Sequence, residues 1–240
     1  MHNVAHRGYS AVAPENTLPA FAAAVRAGAT LIEFDVRTTS DDVPVVIHDR
    51  TVDRTTTGQG HVWDLTYSEV AALDAGAWFS PAYAGVRVPT LTATLELLRA
   101  PGPGLLLEIK PPATLSQVKT IMELVGSYGL VDRTIVQSFD PEVIRLVREV
   151  APAVRRGLLR LRFEADTVPL VDELDVVCCN PSRADVLGDP ATVASLTGRG
   201  VEVMPWTAND MTEWPSLAGA GIAGLITDRV AELTGWSAGR

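Results

Sequence analysis

Short apolar runs rich in Val, Ile and Leu alternate along the whole chain with segments of helical character, the pattern of a parallel sheet joined by helical crossovers. Nine runs read as strands: 3–6, 31–36, 43–48, 104–109, 134–138, 155–159, 175–179, 201–206 and 224–227. An eight-stranded barrel uses one fewer, and the third run accounts for the surplus. Only six residues separate Val36 from Val43, too few for a parallel crossover of about a dozen or more, so 43–48 returns antiparallel as a hairpin arm. A turn centred between Asp41 and Asp42, turn-forming residues both, predicts His48 opposite Asp35. Eight parallel strands remain, followed by helix-like stretches at 17–27, 91–99, 115–128, 141–150, 166–173, 190–199, 211–219 and 229–235. The predicted fold is an α/β, (β/α)8 TIM barrel. Asn16, Asp140 and Asp189 are expected N-caps, the last two preceding prolines. Segment 49–89 holds four glycines and the aromatics Trp63, Tyr67, Trp78, Phe79 and Tyr83. It is too long for an ordinary βα loop and is expected to be a small inserted cap, after the second strand, in a chain 1–240 that otherwise reads as one domain.

The 240 residues are 47% hydrophobic and 20% charged, which excludes a disordered chain. A formal net charge of −9 argues against nucleic acid and anionic membranes as partners. No apolar run approaches the roughly 20 residues of a membrane span. The N-terminal MHNVAHRG lacks a basic and then apolar leader, so a cytoplasmic setting is expected. Cys178 and Cys179 are the only cysteines; adjacent in a strand, they face opposite ways and are expected as core residues, not a disulfide.

In such barrels the chemistry collects at the C-terminal strand ends. There the sequence places His6 and Arg7, Glu33 and Asp35, His48, Glu108 and Lys110, Gln137 and Ser138, Asn180, Trp206 and Asp228. Glu33 and Asp35 are two apart and share a face, and burial of two carboxylates beneath helices is far costlier than in the lumen. Each residue taken singly has an ordinary structural reading; the convergence of seven ionisable groups, from His6 to Lys110, on three neighbouring strands does not. Three acidic groups close together either share protons or hold a cation, and oxygen-only ligands favour Mg²⁺ or Ca²⁺. Arg7 and Lys110 beside them suit a phosphate, and His6 and His48 can exchange protons near neutral pH. The set describes phosphoester cleavage. A glycosidase with a carboxylate pair would have no use for Arg7 and Lys110, and a non-catalytic barrel would have no use for any of these ionisable residues.

With these residues assembled, the chain resembles the glycerophosphodiester phosphodiesterase family. The likeness runs through His6-Arg7-Gly8, Pro14-Glu15-Asn16-Thr17, Glu33-Phe34-Asp35-Val36, His48-Asp49, Arg54-Thr55-Thr56 with Gly58 and Gly60, Val88-Pro89-Thr90-Leu91, Glu108-Ile109-Lys110, Gln137-Ser138-Phe139 and Trp206-Thr207. It covers residue 3 to about 228, and the ordered set is specific where each motif alone is weak. The resemblance implies a TIM barrel with an insertion after the second strand. It also implies metal-dependent hydrolysis of glycerophosphodiesters, such as glycerophosphocholine or glycerophosphoethanolamine, to sn-glycerol 3-phosphate and an alcohol. By the same resemblance Glu33, Asp35 and Glu108 would hold one divalent cation, with Glu15 a ligand, hydrogen-bond partner or substrate contact. His6 and His48 would be the acid–base pair, His48 the expected acid and His6 the expected base. Arg7 and Lys110 would grip phosphate, and Trp206 would line the glycerol or headgroup side. Two departures from the family pattern stand out: Asp41-Asp42 where the hairpin usually carries glycine, and Pro205 before Trp206.

Overall fold

The computed structural model describes residues 1–239. Its strands are β1 (His2–Ala5), β2 (Leu31–Thr38), β3 (Pro44–Val46), β4 (Gly104–Ile109), β5 (Thr134–Ser138), β6 (Arg155–Arg160), β7 (Cys178–Pro181), β8 (Glu202–Val203) and β9 (Gly224–Thr227). The helices are α1 (Leu18–Arg26), α2 (Tyr67–Ala72), α3 (Leu91–Leu98), α4 (Leu115–Ser127), α5 (Pro141–Val150), α6 (Thr167–Leu174), α7 (Arg183–Gly188), α8 (Pro190–Thr197), α9 (Trp214–Gly219) and α10 (Val230–Ala238). The sheet order is β8-β7-β6-β5-β4-β2-β1-β9, all parallel, with β3 antiparallel on β2. Backbone bonds from Ala223 N to Val203 O (2.9 Å) and Ile226 N to Pro205 O (3.0 Å) bring the two ends of this order together. The fold is the expected (β/α)8 TIM barrel. Among the described residues no helix is long and apolar enough to cross a membrane.

A two-residue period explains where the chemistry falls. Val4, Leu31, Leu106, Ile135, Cys178, Met204 and Ile226 pack together as the floor of the lumen. Their neighbours Ala5, Ile32, Leu105, Leu107, Val136 and Cys179 belong to the outer layers against the helices. Because side chains alternate along a strand, the residue two beyond each floor position returns to the lumen at its C-terminal end. Those residues are His6, Glu33, Glu108, Gln137, Asn180, Trp206 and Asp228, with Asp35 and Lys110 one step further. Cys178 and Cys179 are both free and buried, on opposite faces as expected.

Two local expectations are corrected. The hairpin register is Val36 with Val46 and Thr38 with Pro44, and Ile47 N bonds Asp35 O at 2.9 Å, so Ile47 and not His48 lies opposite Asp35. The loop has three residues, not two: Asp42 N bonds Thr39 O, Thr39 N bonds Val43 O, and Asp42 has φ +58. This is a type I turn followed by a left-handed residue, a conformation Asp tolerates better than most. The second correction concerns α1, whose N-cap is Thr17 and not Asn16; Asn16 reaches the site instead. Asp140 and Asp189 cap α5 and α8 as expected.

Segment 49–89 forms α2 and two 3-10 turns, Val62–Asp64 and Pro81–Tyr83. Val52, Val62, Val70, Ala75 and Val88 pack with Val45 and Ile47 of the hairpin into a small separate cluster.

The loop after β1 turns sharply at Gly8, whose φ is +82 and where a Cβ would lie 2.8 Å from the Ala20 backbone carbon. A side chain there meets both backbone strain and a clash with α1. Gly8→Ala is therefore expected to destabilise the protein by about 2 kcal/mol, read as a lower urea midpoint at unchanged slope. An unchanged midpoint would contradict this reading of the turn.

Candidate active site

Glu33, Asp35 and Glu108 bring ligand-capable oxygens within 4.8 Å of one another. Asp35 and Glu108 are direct neighbours in the β2–β4 register, and all three are buried, at 3%, 1% and 4% exposure. Lys110 Nζ lies 2.9 Å from Asp35 Oδ1 and 2.7 Å from Glu108 Oε1. Arg7 donates its backbone N–H to Glu33 Oε2 at 2.8 Å, and its Nε stands 3.5 Å from Asp35 Oδ2. Asn16, left-handed at φ +57, clamps Asp35 from both ends: Nδ2 donates to Oδ2 at 2.7 Å and Oδ1 accepts from the Asp35 N–H at 3.2 Å.

Three carboxylates in so little water cannot all stay ionised without compensation. Burial, then Asp35 and Glu108, push Glu33 well above the usual carboxylate range. Burial and the neighbouring Asp35 raise Glu108 to about 7. Burial would raise Asp35 too, but Lys110, Arg7, His48 and the Asn16 bond outweigh it and hold Asp35 well below its ordinary value. Among the described residues, Glu108 Oε1 and Arg7 Nε, both buried, have ion-pair neighbours in Lys110 and Asp35 but no aligned hydrogen-bond partner. An oxygen-only cluster of three buried carboxylates facing two cations, Lys110 and Arg7, carries surplus negative charge and fits a hard divalent cation.

Each of the two cavity histidines is backed by a carboxylate. His6 Nδ1 lies 2.6 Å from Asp228 Oδ1, and Asp228 also accepts from Ser10 Oγ (2.9 Å) and Asn209 Nδ2 (2.6 Å). Against the upward pull of burial, these donors hold Asp228 at about 2. His48 Nδ1 lies 2.7 Å from Asp49 Oδ1, and Asp49 is held at about 2 chiefly by Arg54. Such pairing fixes the tautomer and leaves Nε2 to exchange a proton. Burial lowers His48 below its usual value despite the opposing pull of Asp35. His48 reaches the site although Ile47 takes its place in the ladder: the chain leaves β3, and Arg37 Nε holds the His48 carbonyl at 2.9 Å.

One cavity of about 170 Å³ collects these groups. His6, Arg7, Glu33, Asp35, His48, Glu108, Lys110 and Gln137 form its polar wall, and Phe139, Leu159, Trp206 and Ile226 its apolar one. Trp206 is anchored by Nε1 donating to Asn180 O at 2.9 Å and packs edge-on against Phe139 at 5.5 Å. Glu15 stands apart from the acidic cluster: Oε1 accepts from Arg7 (2.9 Å) and Arg54 (2.8 Å), and Oε2 from Arg54 (2.8 Å). The aromatics of 49–89 do not line the cavity. Sequence reasoning collected Asp228 at its strand end without a task, read Asn16 as a helix cap, met Asp49 and Arg54 only within the family motifs, and did not single out Asn209. Asp228 follows the two-residue period from Ile226, and Asp49 adjoins His48, so both had a local signal; Asn16 resembled a helix cap, and Arg54 had no periodic signal.

Residues 6–232 match the Glycerophosphoryl diester phosphodiesterase family. The chain is 35% identical over 227 residues to a glycerophosphodiester phosphodiesterase of Caldanaerobacter subterraneus subsp. tengcongensis, covering 94% of this chain and 93% of that protein. It superposes on the crystal structure of a glycerophosphodiester phosphodiesterase from Agrobacterium tumefaciens with TM-score 0.82 at 32% identity, covering 95% and 96% of the two chains. An Oleispira antarctica phosphodiesterase, solved with the product sn-glycerol-3-phosphate, superposes with TM-score 0.91 at 27% identity over 97% and 94%. By sequence and by fold, the chain thus belongs to the glycerophosphoryl diester phosphodiesterase family of phosphoric diester hydrolases.

Proposed function

We propose that the protein hydrolyses glycerophosphodiesters, such as glycerophosphocholine or glycerophosphoethanolamine, to sn-glycerol 3-phosphate and an alcohol. The observation that carries this reading is one cavity in which two carboxylate-backed histidines face a buried acidic triad flanked by an Arg and a Lys. Glu33, Asp35 and Glu108 would hold one Mg²⁺ or Ca²⁺, which when bound supplies positive charge to a phosphate oxygen. Arg7 and Lys110 bind the phosphate and stabilise the charge that grows on it. His6 takes at Nε2 the proton of the attacking oxygen, that of water or that of the glycerol 2-hydroxyl whose cyclic phosphate water then opens, and the ionised Asp228 stabilises the imidazolium that forms. His48, held at Nδ1 by Asp49, gives a proton to the leaving oxygen from Nε2. The apolar wall with Trp206 takes the carbon skeleton of glycerol or headgroup. Glu15 orients Arg7, and segment 49–89 acts as an inserted cap that supplies Arg54.

The test is release of sn-glycerol 3-phosphate from glycerophosphocholine and glycerophosphoethanolamine, beside an aryl glycoside. Turnover of the diesters alone is expected; turnover of the glycoside alone would replace the reading with a glycosidase. A second expectation concerns Asn16. Asn16→Ala removes both bonds that fix Asp35 and is expected to weaken divalent-cation binding about 10- to 100-fold, measured by calorimetry. Unchanged affinity would remove Asp35 from the ligand set or Asn16 from its support.

A further inference from the structure

We infer that Arg54 is a positioning residue serving two parts of the site at once: it aligns His48 through Asp49, and it keeps the charge of Arg7 available to phosphate by neutralising Glu15. The inference rests on the reading above, in which His48 moves a proton and Arg7 grips phosphate.

Arg54 lies in the inserted segment and does not line the cavity, so substrate contact is not its task. Among the described residues, its four side-chain hydrogen bonds all go to two carboxylates. Nε donates to Asp49 Oδ2 at 2.7 Å and NH2 to Asp49 Oδ1 at 3.1 Å. NH1 donates to Glu15 Oε2 and NH2 to Glu15 Oε1, both at 2.8 Å. Each carboxylate is shared with a group that does line the cavity: Asp49 Oδ1 with His48 Nδ1 at 2.7 Å, and Glu15 Oε1 with Arg7 NH1 at 2.9 Å. The result is an unbroken line from His48 through Asp49, Arg54 and Glu15 to Arg7.

The charge count gives this line its meaning. With Arg54 present, two carboxylates face two guanidinium groups, and Arg7 is not the sole partner of Glu15. Without Arg54, Glu15 would be left to Arg7 alone and would draw that cation away from a phosphate. Asp49 would be left to His48 alone, with nothing holding its second oxygen. A lysine could supply the charge but not the planar fork that spans both carboxylates.

The test combines steady-state kinetics on glycerophosphocholine with calorimetric binding of sn-glycerol 3-phosphate. Arg54→Met is expected to raise KM and lower kcat, each about tenfold. Adding Glu15→Gln to Arg54→Met is expected to return KM to within about threefold of the native value while kcat stays low. Adding Asp49→Asn is expected to lower kcat no further than Asp49→Asn alone. Simple additivity of these pairs, or an unchanged KM in Arg54→Met, would overturn the inference. If Arg54→Met fails to fold, Arg54→Lys decides: KM kept and kcat lowered supports the double role, and a native kcat refutes it. A native enzyme with no diester turnover would defeat the functional reading instead. Product affinity still decides the Arg54 inference in that case, expected about tenfold weaker in Arg54→Met and recovered with Glu15→Gln.

Discussion

His6→Ala and His48→Ala are each expected to lower kcat on a glycerophosphodiester by about two to four orders of magnitude while the barrel stays folded. Neither ring is part of the core: the side chains are 16% and 32% exposed, at the cavity wall. In the proposed mechanism, loss of either therefore removes a proton carrier and little packing. Each is held through Nδ1 by a carboxylate kept ionised to about 2, an arrangement that costs two partly buried anions and serves no obvious packing purpose. Comparison of kcat with the thermal midpoint of each variant checks the expectation. Native rates in either variant would remove that histidine from the chemistry, whereas a collapse of the midpoint would show that the ring is structural. The double variant should lose little more than the worse single one, because in the proposed mechanism the two act in one proton transfer sequence.

The second large effect links cation, proton and stability. Glu108 is held near 7 by burial and Asp35, and Glu33 is raised as well, against an ordinary value of 4.5 for both. Between 4.5 and 7 the chelated folded protein binds more protons than its unfolded chain, so its stability falls as pH rises through that window. For Glu108 alone the loss amounts to about 3 kcal/mol. Asp35, held below its ordinary 3.8, contributes stability that is lost only at more acid pH; His48, lowered from its ordinary 6.5, works against the decline within the window, as one proton against the two of Glu33 and Glu108. A divalent cation competes with these protons, and its stabilising effect should therefore grow from pH 5 to pH 8. Urea unfolding at both pH values, with chelator and with Mg²⁺ or Ca²⁺, reads the effect, and Glu108→Gln should flatten it. Equal cation stabilisation at pH 5 and pH 8 would contradict the assignment of the triad.

The two-residue period of the strands is what made most of this site readable in advance. Floor residues such as Leu31 and Leu106 are apolar, their successors Glu33 and Glu108 are charged, and only a lumen can accommodate both on one face. Connections were less legible. The register of His48 was misplaced by one residue because Asp42 adopts a left-handed conformation usually left to glycine, adding a third loop residue that composition does not reveal. Asn16 read as a helix cap because its type suits that role, and only the tertiary approach of β2 turns it towards Asp35. Arg54 reaches Glu15 across 39 positions of sequence, a contact no local pattern encodes.

Metal dependence can be tested directly by following release of sn-glycerol 3-phosphate from glycerophosphocholine after chelation and again after addition of Mg²⁺ or Ca²⁺. Loss of turnover on chelation and its return with one of the two ions is the expected result. Turnover that persists in chelator would contradict a cation held by Glu33, Asp35 and Glu108.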